Sequence, residues 1–217
     1  MTDLDQLQRD ASRYDYRSMA RFARALYEHG GTVRSVLRTC YGVDFPEELF
    51  LIAEARNNHR APFGTFMNQP WRLAVPLEQG GPPPDPHGLE YLEQRAWNVD
   101  SQLVPLVDLA DSENVHGNSL LCYRLDELAQ GRSTVIGLRD ITFRDAVIIP
   151  ERYGVSLVTV LHEHYSQALR RLQNEFDSPY NRGAGSIDET YVSDARAALE
   201  PVEEIRRALA GGEMAFK

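Results

Sequence analysis

This chain of 217 residues is poor in cysteine, in long apolar runs and in positive charge. Two cysteines cannot build the disulfide framework of a small secreted domain, so they favour a reducing compartment. The longest strongly apolar stretches, 103–109 and 146–150, are far shorter than the ~18–20 residues that span a bilayer. Residues 1–17 are charged and do not resemble a secretory signal. We therefore expect a cytoplasmic protein without a membrane segment.

Acidic residues outnumber basic ones, with 32 Asp and Glu against 23 Lys and Arg and a net charge of −9. Nucleic acids and anionic membranes are bound by clustered Lys and Arg, so this balance argues against both as partners. Hydrophobic residues make up 42% of the chain and charged residues 25%, as in ordinary globular proteins. The length is sufficient for one domain with a substantial core, with or without an appended segment.

The N-terminal third has helical periodicity. Apolar residues recur at three- and four-residue steps over 16–27 and 33–41, which predicts two helices. Gly42 is placed to end the second helix in a left-handed conformation. Pro46, followed by two glutamates, is typical of the first turn of a third helix.

Helical periodicity returns near the C-terminus, over 160–176 and 191–209. The linker between these segments ends in a capping-box pattern that begins at Ser186. Pro201 interrupts the last stripe, so we expect a kink or a break there.

Strand-like segments lie between the two helical regions. They are rich in β-branched and aromatic residues and are separated by Gly, Pro, Asn and Asp, which is typical of an antiparallel sheet. Pro76 and Pro105 indicate edge or interrupted strands, because proline cannot donate to the strand ladder. The stretch from Gly80 to Gly88 predicts a loop that carries or precedes the segment LEYLEQRAW. The predicted strands are 71–77, 102–109, 119–125, 134–138 and 146–149.

The patterns of known catalytic and metal sites are weak in this chain. Zinc-protease helices place two histidines four residues apart, whereas His162 and His164 are two apart and point to different sides of a helix. We interpret them as polar residues on the solvent side. Cys40 and Cys122 fall in apolar patterns and are interpreted as buried thiols, with a disulfide or a reactive thiol as alternatives. We therefore predict no catalytic residue, no cofactor and no bound metal.

Acidic residues are concentrated between Asp100 and Glu127, where six of them accompany one base, Arg124. This stretch is either a solvated loop face or a negative surface that meets a basic partner, since charge complementarity speeds association. A hydrolytic carboxylate pair has no supporting motif. The candidate partner-binding acids are Asp108, Asp111, Glu113, Asp126 and Glu127.

Three aromatic residues, Trp71, Tyr91 and Trp97, flank the proline-rich loop. They are either core residues or interface anchors, because Trp and Tyr dominate the energetics of many interfaces. We include them with the acids as candidate partner-binding residues.

Several local motifs, taken in order, resemble the SUKH superfamily, the domain named for fungal cell-wall-synthesis regulators and their bacterial relatives. The segment GVDFPEEL, 42–49, is similar to the start of that family's early helix. The segments LVPL, 103–106, and NSLLCYRLD, 118–126, resemble its hairpin, and TVI, 134–136, the strand that follows. The resemblance covers roughly residues 14–176. The segment ARNNHRAPFGTF, the proline-rich loop and the tail beyond 180 are additions to it.

The resemblance implies an α+β fold. A curved antiparallel sheet of about five to six strands would carry N-terminal helices and a closing helix packed against it. We assign residues 1–180 to this domain, and 181–217 to a linker with a C-terminal helical extension packed on the same domain.

Bacterial SUKH members look mostly like immunity proteins that neutralise toxins by direct binding, and others are scaffolds or interaction modules. No catalytic residue belongs to the family pattern. The resemblance therefore implies a non-enzymatic immunity protein whose partner is a toxin, and the acidic residues listed above add the expectation that this toxin has a basic surface. The alternatives are a housekeeping regulator or scaffold that binds an endogenous protein and, third, an enzyme with a cryptic His/carboxylate site.

Overall fold

The computed structural model describes residues 4–57, 64–110, 118–178 and 188–211. Helices open and close this part of the chain, and the strands lie between them. The helices are α1 (Leu4–Asp10), α2 (Tyr16–Glu28), α3 (Val33–Tyr41), α4 (Glu47–Asn57), α5 (Glu90–Val99), α6 (Leu125–Leu128), α7 (Leu157–Phe176) and α8 (Glu189–Gly211). The strands are β1 (Thr65–Phe66), β2 (Leu103–Ala110), β3 (Asn118–Arg124), β4 (Val135–Arg139) and β5 (Pro150–Gly154).

The five strands form one antiparallel sheet in the order β1-β2-β3-β4-β5, so the predicted α+β class is confirmed. The pairing of β2 with β3 shifts register between Pro105 and Val107, which confirms the interruption predicted from Pro105. At the edge strand β5, Pro150, two charged residues and a register shift against β4 discourage the addition of a further strand.

The sheet lies between two helical layers. On one face, Leu121 and Tyr123 of β3 pack in a core with residues of α2, α3, α4 and α7. Val202 and Ile205 belong to that core, which places α8 on the same body. On the other face, Cys122 and its neighbours on β3 and β4 pack against α5. This alternation along β3 is the two-residue period of a strand that is buried on both faces.

Two predicted strands are wrong. Residues 71–74 form hydrogen-bonded turns, and Leu77–Gln79 is a single 3-10 turn. The amides of Leu73 and Ala74 donate to the carbonyl of Pro70, so these donors are used locally and no ladder forms. Residues 146–149 are irregular and the strand begins at Pro150, which leaves Val147 and Ile149 exposed by 88% and 66%.

Helix α8 continues through Pro201, so of the predicted kink or break the break is absent. Pro201 is buried, and the adjacent Val202 packs in the core, so tertiary contacts favour a continuous helix despite the missing backbone donor. Ser186 lies outside the described residues. The Asp188 carboxylate accepts bonds from the amides of Thr190 at 2.8 Å and Tyr191 at 3.4 Å, which satisfies two orphan donors of the helix start.

Tyr153 of β5 lies flat over Gly137 of β4. A Cβ atom on Gly137 would fall 2.4 Å from Cε1 of the tyrosine ring, so only glycine leaves room for it. The Tyr153 hydroxyl lies 3.0 Å from the Ser119 hydroxyl and accepts a bond from Arg139 Nε at 3.0 Å. One ring therefore ties β3, β4 and β5 together across the sheet.

Glu48 is a buried carboxylate that joins α4, β3 and α7. Its Oε1 accepts bonds from the Tyr123 hydroxyl at 2.6 Å and the Leu157 amide at 2.9 Å. Its Oε2 accepts bonds from the Ser156 hydroxyl at 2.5 Å and the Val158 amide at 3.1 Å. Burial raises the pKa of the Tyr123 hydroxyl, and the neighbouring carboxylate raises it further.

The start of α7 depends on this carboxylate. The amides of Leu157 and Val158 are orphan donors of the first helical turn and bond to Glu48, while the amide of Thr159 bonds to the Ser156 hydroxyl at 3.3 Å. The negative charge also lies at the positive end of the 20-residue helix.

Glu48→Gln places an NH2 group, which cannot accept a hydrogen bond, among these four donors. We expect the free energy of unfolding to fall by about 2–4 kcal/mol, measured by urea denaturation. Glu54→Gln, at an exposed position of the same helix, is the control and should change it by less than about 0.5 kcal/mol. Equal stability of the two variants would contradict the role of Glu48.

Gly137→Ala should displace the Tyr153 ring and lower the unfolding free energy by about 1–3 kcal/mol. In a Tyr153→Ala background the same change should cost much less, because no ring opposes the new methyl group. A double-mutant cycle by urea denaturation measures the difference, and strict additivity would disprove the contact.

Candidate protein-binding surface

Two aromatic rings are held together at the surface where α5 ends. Tyr14, 47% exposed, lies just before α2 and contacts the half-buried Trp97 edge to face, with centroids 5.3 Å apart and planes at 79°. The Arg13 guanidinium lies 4.9 Å from the centroid of the Tyr14 ring and donates to its hydroxyl at 2.7 Å. Arg13 also donates to the carbonyl of Ser101, so both rings have a defined orientation.

An ion triad lies beside these rings. Arg124, the last residue of β3, donates to Asp100 at 2.6 Å. Its Nε and Nη2 donate to the two carboxylate oxygens of Asp126, each at 3.0 Å. This bidentate pairing lowers the pKa of the Asp126 carboxyl. One guanidinium serves two carboxylates, so the triad has one net negative charge.

The rings and the triad adjoin, because Asp100 lies one helical turn after Trp97 and directly before Ser101. We call this set of residues the aromatic–acidic surface. It consists of Arg13, Tyr14, Trp97, Asp100, Arg124 and Asp126. It combines aromatic rings, two arginines that are already engaged and two carboxylates, so its net charge is zero.

Glu93 fixes the helix that presents Trp97. Its buried Oε1 accepts bonds from the amides of Asn68 at 2.8 Å and Gln69 at 3.0 Å, and Oε2 accepts one from Asn68 Nδ2 at 3.0 Å. Burial raises the pKa of this carboxyl, against the opposing effect of the hydrogen bonds. These bonds hold α5 in one position over the sheet.

The predicted loop before α5 is confirmed as irregular and is held by polar groups beneath it. The Tyr16 hydroxyl donates to the carbonyl of Pro83 at 2.7 Å, and Arg72 donates to that of Asp85 at 2.5 Å. The His87 amide donates to Asn68 Oδ1 at 2.6 Å, which connects the loop to the Glu93 network.

The predicted aromatic anchors separate into two environments. Trp71 has no exposed surface, and its indole Nε1 donates to the carbonyl of Leu106 at 2.8 Å, so it is a core residue with nothing to offer a partner in this conformation. Tyr91 is 51% exposed on α5, and Trp97 belongs to the aromatic–acidic surface.

The predicted acids likewise do not form one exposed face. Asp108 is buried in β2, and Glu127 is buried with Arg152 Nη2 3.0 Å from its Oε1. Asp126 is exposed and paired with Arg124. Asp111 and Glu113 lie outside the described residues.

The histidine and cysteine predictions have mixed outcomes. His162 is half-buried beside α8, with Arg206 Nη1 3.3 Å and Glu203 Oε1 4.0 Å from its Nε2, so it is a polar residue at the edge of the contact between α7 and α8. Cys122 is buried, Cys40 is half-buried, and both are free thiols. Burial raises the pKa of the Cys40 thiol to about 12, which leaves it protonated at neutral pH. Within the described ranges, no three His, Cys, Asp or Glu side chains are grouped as metal ligands.

Sequence reasoning missed Arg13 and Tyr14 and did not foresee the pairing of Asp100 with Arg124. Tyr14 precedes the first helical stripe, so no periodicity distinguished it. One feature of the sequence could have indicated the pairing of Arg124. It is the only base among six acids between Asp100 and Glu127, and a single cation in such a stretch is expected to pair with the carboxylates near it.

Comparison of this chain with protein families, curated proteins and solved structures gives no match. The SUKH resemblance therefore stays a prediction from short motifs. Among the helices described, none has the length and apolar character needed to cross a membrane.

Arg124→Gln should raise the pKa of the Asp126 carboxyl toward its ordinary 3.8, because the bidentate partner is removed. In the native protein the lowered pKa of the Asp126 carboxyl stabilises the fold at pH values above the pKa that this group has in the unfolded chain. This contribution is lost as the pH falls through the pKa of the group in the folded state. A carboxyl-carbon NMR titration measures the shift. Arg95→Gln on α5 is the control, and an unchanged Asp126 in Arg124→Gln would contradict the pairing.

Proposed function

We propose that this protein binds another protein through the aromatic–acidic surface, and that it is an immunity protein whose partner is a bacterial toxin. The observation that carries the first part is the pairing of the exposed Tyr14 ring with the half-buried Trp97 ring beside the Asp100–Arg124–Asp126 triad. Tyr, Trp and Arg are the residue types that dominate binding hot spots.

The rings meet the main energetic requirement of a binding surface. Trp97 is on a helix anchored by Glu93, and Tyr14 is held by Arg13, so little side-chain freedom remains to be lost on association. Burial of such rings contributes most of the affinity in many complexes.

The triad supports a partner that presents a cationic side chain. Arg13 balances the negative charge of the triad over the whole surface, so the exposed Asp126 carboxylate beside the rings is the group that orients such a side chain. Arg124 already neutralises one carboxylate, which limits the cost of burying both acids at an interface.

The immunity role rests on the SUKH resemblance described above. Such a protein acts by covering its partner, so the proposal includes no catalytic step and no cofactor.

Site-specific crosslinking tests the surface in the native host. Tyr14→p-benzoylphenylalanine should give a crosslink to one defined protein after irradiation. The control is Tyr191→p-benzoylphenylalanine at a position 55% exposed on α8, which packs on the opposite face of the sheet from α5. The same crosslink from position 191, or none from position 14, would contradict the proposed surface.

With the crosslinked partner purified, Trp97→Ala should raise Kd by roughly 30-fold or more, the effect of losing a hot-spot side chain worth about 2 kcal/mol. Tyr191→Ala should leave Kd unchanged. Surface plasmon resonance measures both, and an unchanged Kd for Trp97→Ala would disprove the anchoring role.

Toxicity decides between the immunity role and a regulator. The partner should arrest growth when it is produced alone. Co-production of this protein should restore growth, and co-production of the Trp97→Ala variant should restore growth to a smaller extent. A partner that is harmless on its own would overturn the toxin assignment and leave a housekeeping regulator or scaffold.

A further inference from the structure

A cleft of about 450 Å³ lies between the segment that joins α3 to α4 and the segment that follows α6. Val43, Phe45 and Pro46 line one side, and Leu128 lines the other. Cavities of 300–1,000 Å³ with apolar walls and a few polar groups are typical of sites for small molecules.

Two arginines line the cleft, and each has a carboxylate nearby. Arg38 Nε lies 3.6 Å from Asp44 Oδ1, and Arg132 Nε lies 4.0 Å from Glu127 Oε2. Both separations exceed the hydrogen-bonding range for N–H groups. Within the described part of the chain, the guanidinium groups of Arg38 and Arg132 donate no hydrogen bond, so their N–H donors are available for a ligand.

The local charge is positive although the chain is strongly acidic. The Glu127 carboxylate is buried beneath the arginines and also has Arg152 Nη2 3.0 Å from its Oε1. The net charge of the cleft and the two groups beneath it is +1, whereas that of the chain is −9. This sum includes Arg38, Asp44, Arg132, Glu127 and Arg152.

The other acids near the cleft are engaged elsewhere. Glu47 is paired with Arg34 at 2.5 Å, and the Glu48 carboxylate is bonded to the start of α7. Neither carboxylate therefore needs Arg38 or Arg132 as a partner, so neither competes with an anion for these two side chains.

We propose that this cleft binds a small organic anion, with a phosphate or carboxylate group between Arg38 and Arg132 and an apolar body against Phe45, Pro46 and Leu128. The planar guanidinium fork matches the oxygens of either anion. The apolar wall favours a ligand larger than the bare ion. This proposal is independent of the proposed protein-binding function.

Phenyl phosphate is the first probe, with benzoate, inorganic phosphate and phenol as comparisons. In NMR titrations of the full chain, phenyl phosphate and benzoate should shift the amides of 42–45 and 128–133. Inorganic phosphate should bind several-fold more weakly than phenyl phosphate, and phenol should give no saturable shift. Phosphate and phenyl phosphate binding equally, or no shift in these segments, would overturn the proposal.

Variants test the two arginines separately. Arg38→Gln and Arg132→Gln should each weaken phenyl phosphate binding by roughly tenfold or more, because a charge-assisted bond is lost. Both side chains are largely exposed, so we expect native urea denaturation curves. Arg170→Gln, at an exposed position of α7 outside the cleft, should bind as the native chain does. Equal binding by Arg38→Gln, Arg132→Gln and Arg170→Gln would overturn the site.

Discussion

The four hydrogen bonds to the Glu48 carboxylate are the constraint on which the remaining structure depends. They fix α7 against α4 and against Tyr123 of β3, and α8 then packs on α7 and α4. A buried charge of this kind is costly unless every lone pair is used, and here helix amides and hydroxyls use them. Glu93 plays the same part on the opposite face of the sheet, where it holds α5 and the loop before it.

The parts of the fold that depend on neighbouring residues, such as helix periodicity and the backbone preferences of glycine and proline, could be predicted from the sequence. The stripe of α2, the glycine that ends α3 and the interruption at Pro105 depend on neighbouring residues only, and all three are confirmed. Trp71 could be either a core residue or an interface anchor from its sequence context, and the choice depends on its partner, the carbonyl of Leu106, which is 35 residues away in sequence. Val147 and Ile149 suit a strand by composition, but local turns and the start of β5 at Pro150 leave them outside the ladder.

The candidate surface could be predicted only in part. Asp126, Tyr91 and Trp97 were identified from residue type and clustering, and they are on or near α5 and α6 as exposed or half-buried groups. Tyr14 reaches Trp97 across 83 positions in sequence, and no one-dimensional pattern indicates such a contact. Asp108 is buried because of the register of β2 in the sheet, and Glu127 is buried beside Arg152, which is distant from it in sequence. Both environments depend on tertiary structure.

The central claim is that one surface, built around Tyr14 and Trp97, contacts the partner. Hydrogen exchange of the protein with and without its crosslinked partner tests it most directly. We expect slowed exchange in segments 13–16, 94–101 and 124–127, with α8 unchanged. Protection confined to α7 and α8, with those three segments exchanging as in the unbound protein, would contradict it.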